Sequence, residues 1–239
     1  MIRNLICLYT SHADLHLADQ AKNKLQSVLG PSDKIITILS KDSLNQSYVI
    51  DHDILYVKTK ECYSYLNQKT LLMIQACFES FKFKYLVKWD VSSLIDSRCV
   101  TYMRNGNTGE LFDTCIEHVK NMNYTLLDQQ CYWSHLKCYT TPEANDNWMI
   151  HEKNQLQTVM ADGRQLCSSK AFTGFANYYK GKFYVINNKF ADFIVSSEHT
   201  HEIVNKMFEF AGGSEDVTIG LLYDLFAKNN SLQRLDFTL

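Results

Sequence analysis

The stretch "YLNQKTLLMIQACFESFKFKYLVKWD" (residues 65–90) decides the fold. Its first half keeps helical register, with Leu66, Thr70, Met73, Ile74, Cys77, Phe78 and Phe81 on one face. Its second half, "KYLVKWD" (84–90), is a short apolar run that ends on a charge, as a buried strand does. Upstream, "NLICLYTS" (4–11) reads as a strand entering a polar loop. A helix follows over 13–29, with Leu17, Ala18, Ala21, Leu25, Val28 and Leu29 on one face, until "GPSD" (30–33) breaks it. "KIITIL" (34–39) and "DILYVK" (53–58) are the next strands. Strands alternating with helices predict an α/β fold with a mainly parallel central sheet flanked by helices. Ligands of such sheets bind beyond the carboxyl ends of the strands. Asp90 and the Thr10–Ser11–His12 loop therefore share one rim.

Downstream the pattern loosens. "RNGNTGE" (104–110) is a turn and "LFDTCIEHVKNM" (111–122) a short helix. Residues 132–177 are polar, studded with aromatic rings and poorly periodic, the character of a lid or binding loop. "KFYVIN" (182–187) is a strand, followed by helical "KFADFIVSS" and "THEIVNKMFEF". After Gly212 and Gly213 comes "SEDVTIGLLYDLF" (214–226), whose Val217, Leu221, Leu222, Leu225 and Phe226 form an apolar stripe. Ser214 suits an N-cap, and carboxylates at 215 and 216 complement the helix dipole by roughly 0.3–1 kcal/mol. On these residues alone, capping and a catalytic base are both open.

Composition narrows the class. A chain of 239 residues, 46% hydrophobic and 13% aromatic, can bury the core of one domain with two lobes. A net charge of −2 without a dense Lys/Arg run gives no basis for nucleic-acid binding. No stretch has the ~20 consecutive apolar residues of a membrane span, and "MIRNLICLYTS" lacks a signal-peptide layout. The expectation is a soluble, cytoplasmic protein. The eight cysteines show no C-x-x-C spacing and no Cys/His cluster of zinc-ligand spacing, so reduced, mostly buried thiols are expected. No G-x-x-x-x-G-K-[ST] or G-x-G-x-x-G occurs, and nine glycines leave little room for a phosphate-cradling loop.

Three blocks, in order, resemble the inverting β-1,3-glycosyltransferases of the galactosyltransferase and Fringe type (glycosyltransferase family 31). The first is "DILYVKTKECYSYLNQKTLLMIQACFESFKFKYLVKWD", with its Lys69–Thr70 pair on the helix. The second is "YYKGKFYVINNKFADFI", similar to a Gly-x-(aromatic)-Val block before a helix. The third is "EDVTIG", similar to a Glu-Asp-Val-x-x-Gly signature. The resemblance implies a single GT-A domain, Rossmann-like, over 1–239. Residues 1–100 would form the nucleotide-sugar half, and 101–239 the acceptor and catalytic-base half, with an irregular acceptor-side segment. It implies a UDP-sugar donor, a glycan or glycoconjugate acceptor, inversion at the anomeric carbon and no organic cofactor.

Asp216 takes the family's base position, with Glu215 beside it as an orienting or acceptor-binding group. Tyr9, Thr10, Ser11, Lys69, Lys88, Asp90 and Ser92 fall at donor-binding positions. Tyr178, Tyr179, Gly181 and Tyr184 fall at acceptor-binding ones. The family's Asp-x-Asp run, which holds Mn²⁺ or Mg²⁺, is reduced here to Asp90 with Ser92 in place of the second carboxylate, and no His follows His201. Asp90 then holds a metal weakly, or Lys69 and Lys88 supply the cationic charge, unless both lysines are simply solvated. His12 and His16 read as surface residues. Trp133 and Trp148 could stack on a sugar or anchor the core. A rival class, a GT-A-shaped binding protein without catalysis, draws on the eroded metal motif.

Overall fold

The computed structural model describes residues 1–61, 65–91, 119–120, 122–134, 137–140, 176–179, 181–209 and 215–236. In chain order the elements are β1 (Ile2–Tyr9), α1 (Leu15–Gln26), β2 (Lys34–Ser40), β3 (Tyr48–Asp51), β4 (Ile54–Val57), α2 (Leu66–Ser80) and β5 (Phe83–Asp90). Then follow α3 (Tyr124–Gln130), β6 (Tyr132–Trp133), β7 (Lys137–Thr140), β8 (Ala176–Tyr179), β9 (Phe183–Asn187), α4 (Asn188–Ser196), α5 (Glu198–Glu209) and α6 (Glu215–Asn229).

The apolar run of β1, buried from Asn4 onward, occupies the centre of a seven-stranded sheet ordered β3-β4-β2-β1-β5-β9-β6. β1 pairs in parallel with β2 and β5, and β2 pairs in parallel with β4. This is the parallel block that the alternation of strands and helices predicts. Its flanks are antiparallel: β3 folds back on β4, β9 runs against β5, and β6 against β9. The stretch expected to be irregular over 132–177 contributes β6 at the sheet edge. It also contributes β7 and the start of β8, which pair antiparallel in a second, two-stranded sheet. Its strands are too short to show a period, so pairing partners rather than local pattern define them.

Successive side chains of a strand point to opposite faces, and both faces of this sheet are covered. Leu5, Cys7 and Tyr9 of β1 share one core with Met73 and Ile74 of α2, Phe190 and Ile194 of α4, and Ile219, Leu222 and Phe226 of α6. Ile6 and Leu8 face the other core, with Leu17, Ala21 and Leu25 of α1 and Leu127 of α3. Cys7, Cys77 and Cys131 are buried free thiols. Tyr132 ties the antiparallel flank to the helices: its ring lies 4.7 Å from Tyr179, 5.7 Å from Tyr184, 5.7 Å from Phe190 and 5.3 Å from Tyr223.

Local signals set the helix ends. The Asn187 side chain accepts from the Phe190 N–H at 3.1 Å to open α4, and Asn123 accepts from Leu126 at 3.0 Å to open α3. Cys131, at φ 65°, closes α3 in the left-handed region. The turn at 104–110, most of the helix expected at 111–122, and Ser92, Trp148, Gly212, Gly213 and Ser214 lie outside the described residues. Among the described residues, no helix is long and apolar enough to cross a membrane.

Helix α6 lies directly on β8 because position 220 has no side chain. A Cβ there would stand 2.6 Å from the Asn177 carbonyl oxygen and 2.6 Å from Tyr178 Cβ, against backbone that cannot yield. Gly220→Ala is therefore expected to lower the unfolding free energy by about 1–3 kcal/mol. Chemical denaturation measures this, and a variant as stable as the native chain would contradict the packing described.

Candidate active site

The sheet reverses its winding at β1. The chain passes from β1 to β2 on one side, while β5 lies on the other, and crevices open at such switch points. Tyr9 and Asp90, the last residues of β1 and β5, are register partners, so the two strand ends lie side by side. β9 then brings a third segment to the same rim, because it enters the sheet antiparallel to β5. The Asp90 N–H donates to the Lys182 carbonyl at 2.9 Å, and the Lys182 ammonium lies 4.0 Å from Asp90 Oδ2. From the other side the Gly181 N–H donates to Asp216 Oδ2 at 3.3 Å. Asp90 and Asp216 thus both contact one dipeptide, Gly181–Lys182. Asp216 Oδ1 also accepts from the Val217 N–H at 2.9 Å, so a first-turn amide of α6 helps hold a half-buried carboxylate.

Glu215 points inward. Its carboxylate is buried beneath the rim against the Lys88 ammonium, with Nζ 3.1 Å from Oε1 and 3.2 Å from Oε2. Lys88 also donates to the Gly181 carbonyl and lies 4.4 Å from the Tyr9 ring centre and 5.7 Å from that of Tyr184. Burial pushes the Glu215 carboxyl up to about 7; the Lys88 charge opposes that shift and the Asp216 charge adds to it. Burial likewise raises the Tyr9 and Tyr184 hydroxyls well above their ordinary value, with the Glu215 charge adding to both. Tyr184 is fully buried and reaches the site from below, next to Glu215.

Lys69 is equally enclosed. It donates to the Thr10 carbonyl at 2.5 Å and pairs with Glu61 at 3.0 Å. Burial pushes its ammonium down, opposed chiefly by Glu61. The N-terminal turns of α2 thereby support the rim: Thr70 donates to the Tyr9 hydroxyl at 3.2 Å, and Asn67 accepts from Thr218 of α6 at 2.9 Å. Neither lysine is solvated, and both hold backbone carbonyls of the rim loops. Ser11 caps its own loop through Asp14, with Oγ to Oδ2 at 2.9 Å.

The candidates therefore divide. Tyr9, Thr10, Ser11, Asp90, Gly181 and Asp216 gather at one rim, with Lys69, Lys88, Glu215 and Tyr184 forming its buried support. Tyr178 packs on α6 at Gly220. Tyr179 lines a cavity of about 240 Å³ with Trp133, Gln130 and Arg234. His12 and His16 are exposed, and His12 Nε2 lies 2.9 Å from the Ser40 carbonyl oxygen. Sequence reasoning missed Glu61 and Lys182. For Lys182 the available signal was its place directly after the glycine of the "KGKF" block, at the start of a strand.

Among the described residues no group of three or more His, Cys, Asp or Glu side chains is placed to hold a metal ion, and Asp90 is the carboxylate at the expected position. Hard cations favour several charged oxygens, and Asp90 is the described residue that could offer one here.

A mixed α/β sheet flanked by helices, with acidic side chains at its switch point, is a GT-A-like fold suited to glycosyl transfer. A family model described as Galactosyltransferase matches residues 32–227, and the chain belongs to the galactosyltransferase family. No curated protein matches it. The matched span includes β5, β9 and the "EDV" entrance of α6. Family membership makes the chain a glycosyltransferase.

The burial of Glu215 has a pH signature. Its folded pKa of about 7 exceeds the ordinary 4.5, so between those values the folded chain binds a proton that the unfolded chain has released. The stability this group contributes is complete below about 4.5 and is lost as pH rises through 7, by up to about 3 kcal/mol. Denaturation at pH 5 and pH 8 should show the native chain losing stability relative to Glu215→Gln. Parallel curves would contradict a burial that outweighs the Lys88 charge.

Proposed function

We propose that the protein transfers a hexose from a UDP-sugar to a hydroxyl of a glycan or glycoconjugate, with inversion and in the β-1,3 manner of the relatives it resembles. Asp216 is the general base. The observation that carries this reading is the shared Gly181–Lys182 dipeptide, which puts Asp216 and Asp90 on one rim at the carboxyl ends of β1 and β5.

Inversion needs a single displacement. A base removes the acceptor's proton as its oxygen attacks the anomeric carbon, while the sugar–diphosphate bond breaks on the opposite side. Asp216 suits the first task. It is reachable from solvent and oriented by two backbone amides. On the donor side, Tyr9, Thr10 and Ser11 form the loop that would receive the uridine. Lys182 supplies cationic charge beside Asp90 for the departing diphosphate. A Mn²⁺ or Mg²⁺ ion, when carried in by the diphosphate, would find Asp90 as its protein ligand and would add charge stabilisation. The acceptor would lie toward Tyr178, Tyr179 and the Trp133 cavity, where a flat ring stands beside polar groups suited to a saccharide.

A second reading, a GT-A-shaped protein that binds nucleotide sugar or glycan without turnover, draws on the lone carboxylate at the metal position. UDP release from UDP-galactose, UDP-glucose and UDP-N-acetylglucosamine separates the two. For the enzyme, release should be measurable and should fall about 10²–10⁴-fold in Asp216→Asn, with the donor KM within a few-fold of native. UDP binding by calorimetry without release from any of the three donors would favour the binding protein.

A further inference from the structure

Lys88 and Glu215 are enclosed side chains beneath the rim. Their side chains are 1% and 6% exposed, and the Lys88 ammonium is already shared among both Glu215 oxygens, the Gly181 carbonyl and the faces of Tyr9 and Tyr184. Burying such a pair costs desolvation that its attraction only partly offsets. Apolar pairs of similar volume often serve stability equally well. The retained pair must therefore be read from what it holds.

It holds Gly181. Lys88 takes that residue's carbonyl, and the same residue's N–H goes to Asp216 Oδ2. A Cβ at 181 would stand 2.5 Å from Glu215 Oε2, so only glycine lets the carboxylate close on this backbone. Glu215 and Asp216 are consecutive residues on the first turn of α6. Fixing the former from below and contacting the latter through the Gly181 amide therefore constrains one turn at two points.

We propose that Lys88 and Glu215 are positioning residues, a buried clamp that sets the place of the Asp216 carboxylate through the Gly181 backbone. The inference rests on Asp216 as the base. It gives Lys88 a different part from direct contact with the diphosphate, and Glu215 a different part from contact with the acceptor. A reacting carboxylate displaced by an ångström loses most of its advantage, so the clamp acts on kcat and leaves donor affinity alone.

The test is Lys88→Met combined with Glu215→Leu, which replaces the pair by apolar groups of similar volume. Melting temperature and the steady-state constants for UDP release are measured with whichever of the three UDP-sugars is turned over. The double variant should melt within a few degrees of native, lose about 10–100-fold in kcat and keep its donor KM within about threefold. Native kcat in a folded double variant would overturn the proposal. So would a donor KM raised tenfold or more with kcat spared, which would return Lys88 to the diphosphate.

Gly181→Ala tests the same joint where the double variant fails to fold, since its methyl displaces the Glu215 carboxylate from a turn at the surface. Loss of kcat with the donor KM spared supports the clamp, and an unchanged kcat overturns it. Asp216→Asn separates the two levels. If it stays active, or if no UDP-sugar is turned over, the base reading falls and the clamp falls with it. If it is inactive while the double variant is fully active, the clamp alone falls.

Discussion

The rim depends on one buried ion pair between residues 127 apart in sequence, Lys88 at the end of β5 and Glu215 at the entrance of α6. It joins the parallel half of the sheet to the C-terminal helix, and through the Gly181 carbonyl it also fixes the turn that precedes β9. Two charges withdrawn from water must satisfy each other closely. That demand gives the first turn of α6 a defined height and rotation against the sheet. Asp216, one residue on, inherits that placement. Lys69 performs a parallel task at the β1 end of the rim, where Glu61 balances its charge and the Thr10 carbonyl is what it grips.

Much of this architecture was legible. β1, α1, β2, α2 and β5 announce themselves by period, because helical stripes and apolar runs are local properties of the chain. Their alternation places Asp90 and the Thr10–Ser11–His12 loop on one rim, and the "EDV" block places Asp216 at a helix entrance. The antiparallel flank was not legible. β6 spans Tyr132–Trp133 and β9 Phe183–Asn187, lengths too short to carry a period, and only pairing beside β5 shows that β9 runs in reverse. That reversal delivers Gly181 and Lys182 to Asp90, which is why sequence reasoning missed Lys182.

The lysines teach a related lesson. In "YLVKWD" a lysine in an apolar run can be solvated, can meet a phosphate or can pair internally, and no local pattern distinguishes the three. The partner that decides the matter lies far away in sequence, and Glu215 looks from its own neighbourhood like an ordinary first-turn acid. For "SED", where capping and a catalytic base were both open on sequence grounds, the two carboxylates part company: Glu215 turns beneath the rim to Lys88, while Asp216 stands at its surface and accepts from the Gly181 and Val217 amides.

The proposed function has Asp90 facing the donor's diphosphate and Asp216 facing the acceptor hydroxyl across the transferred sugar. A crystal structure with UDP and Mn²⁺ tests it most directly. The account predicts the diphosphate beside Asp90 and Lys182, the uracil against the Tyr9–Ser11 loop, and open space about one hexose wide between the β-phosphate and the Asp216 carboxylate. A diphosphate bound away from the β1 and β5 ends, or a wall of side chains between it and Asp216, would contradict it.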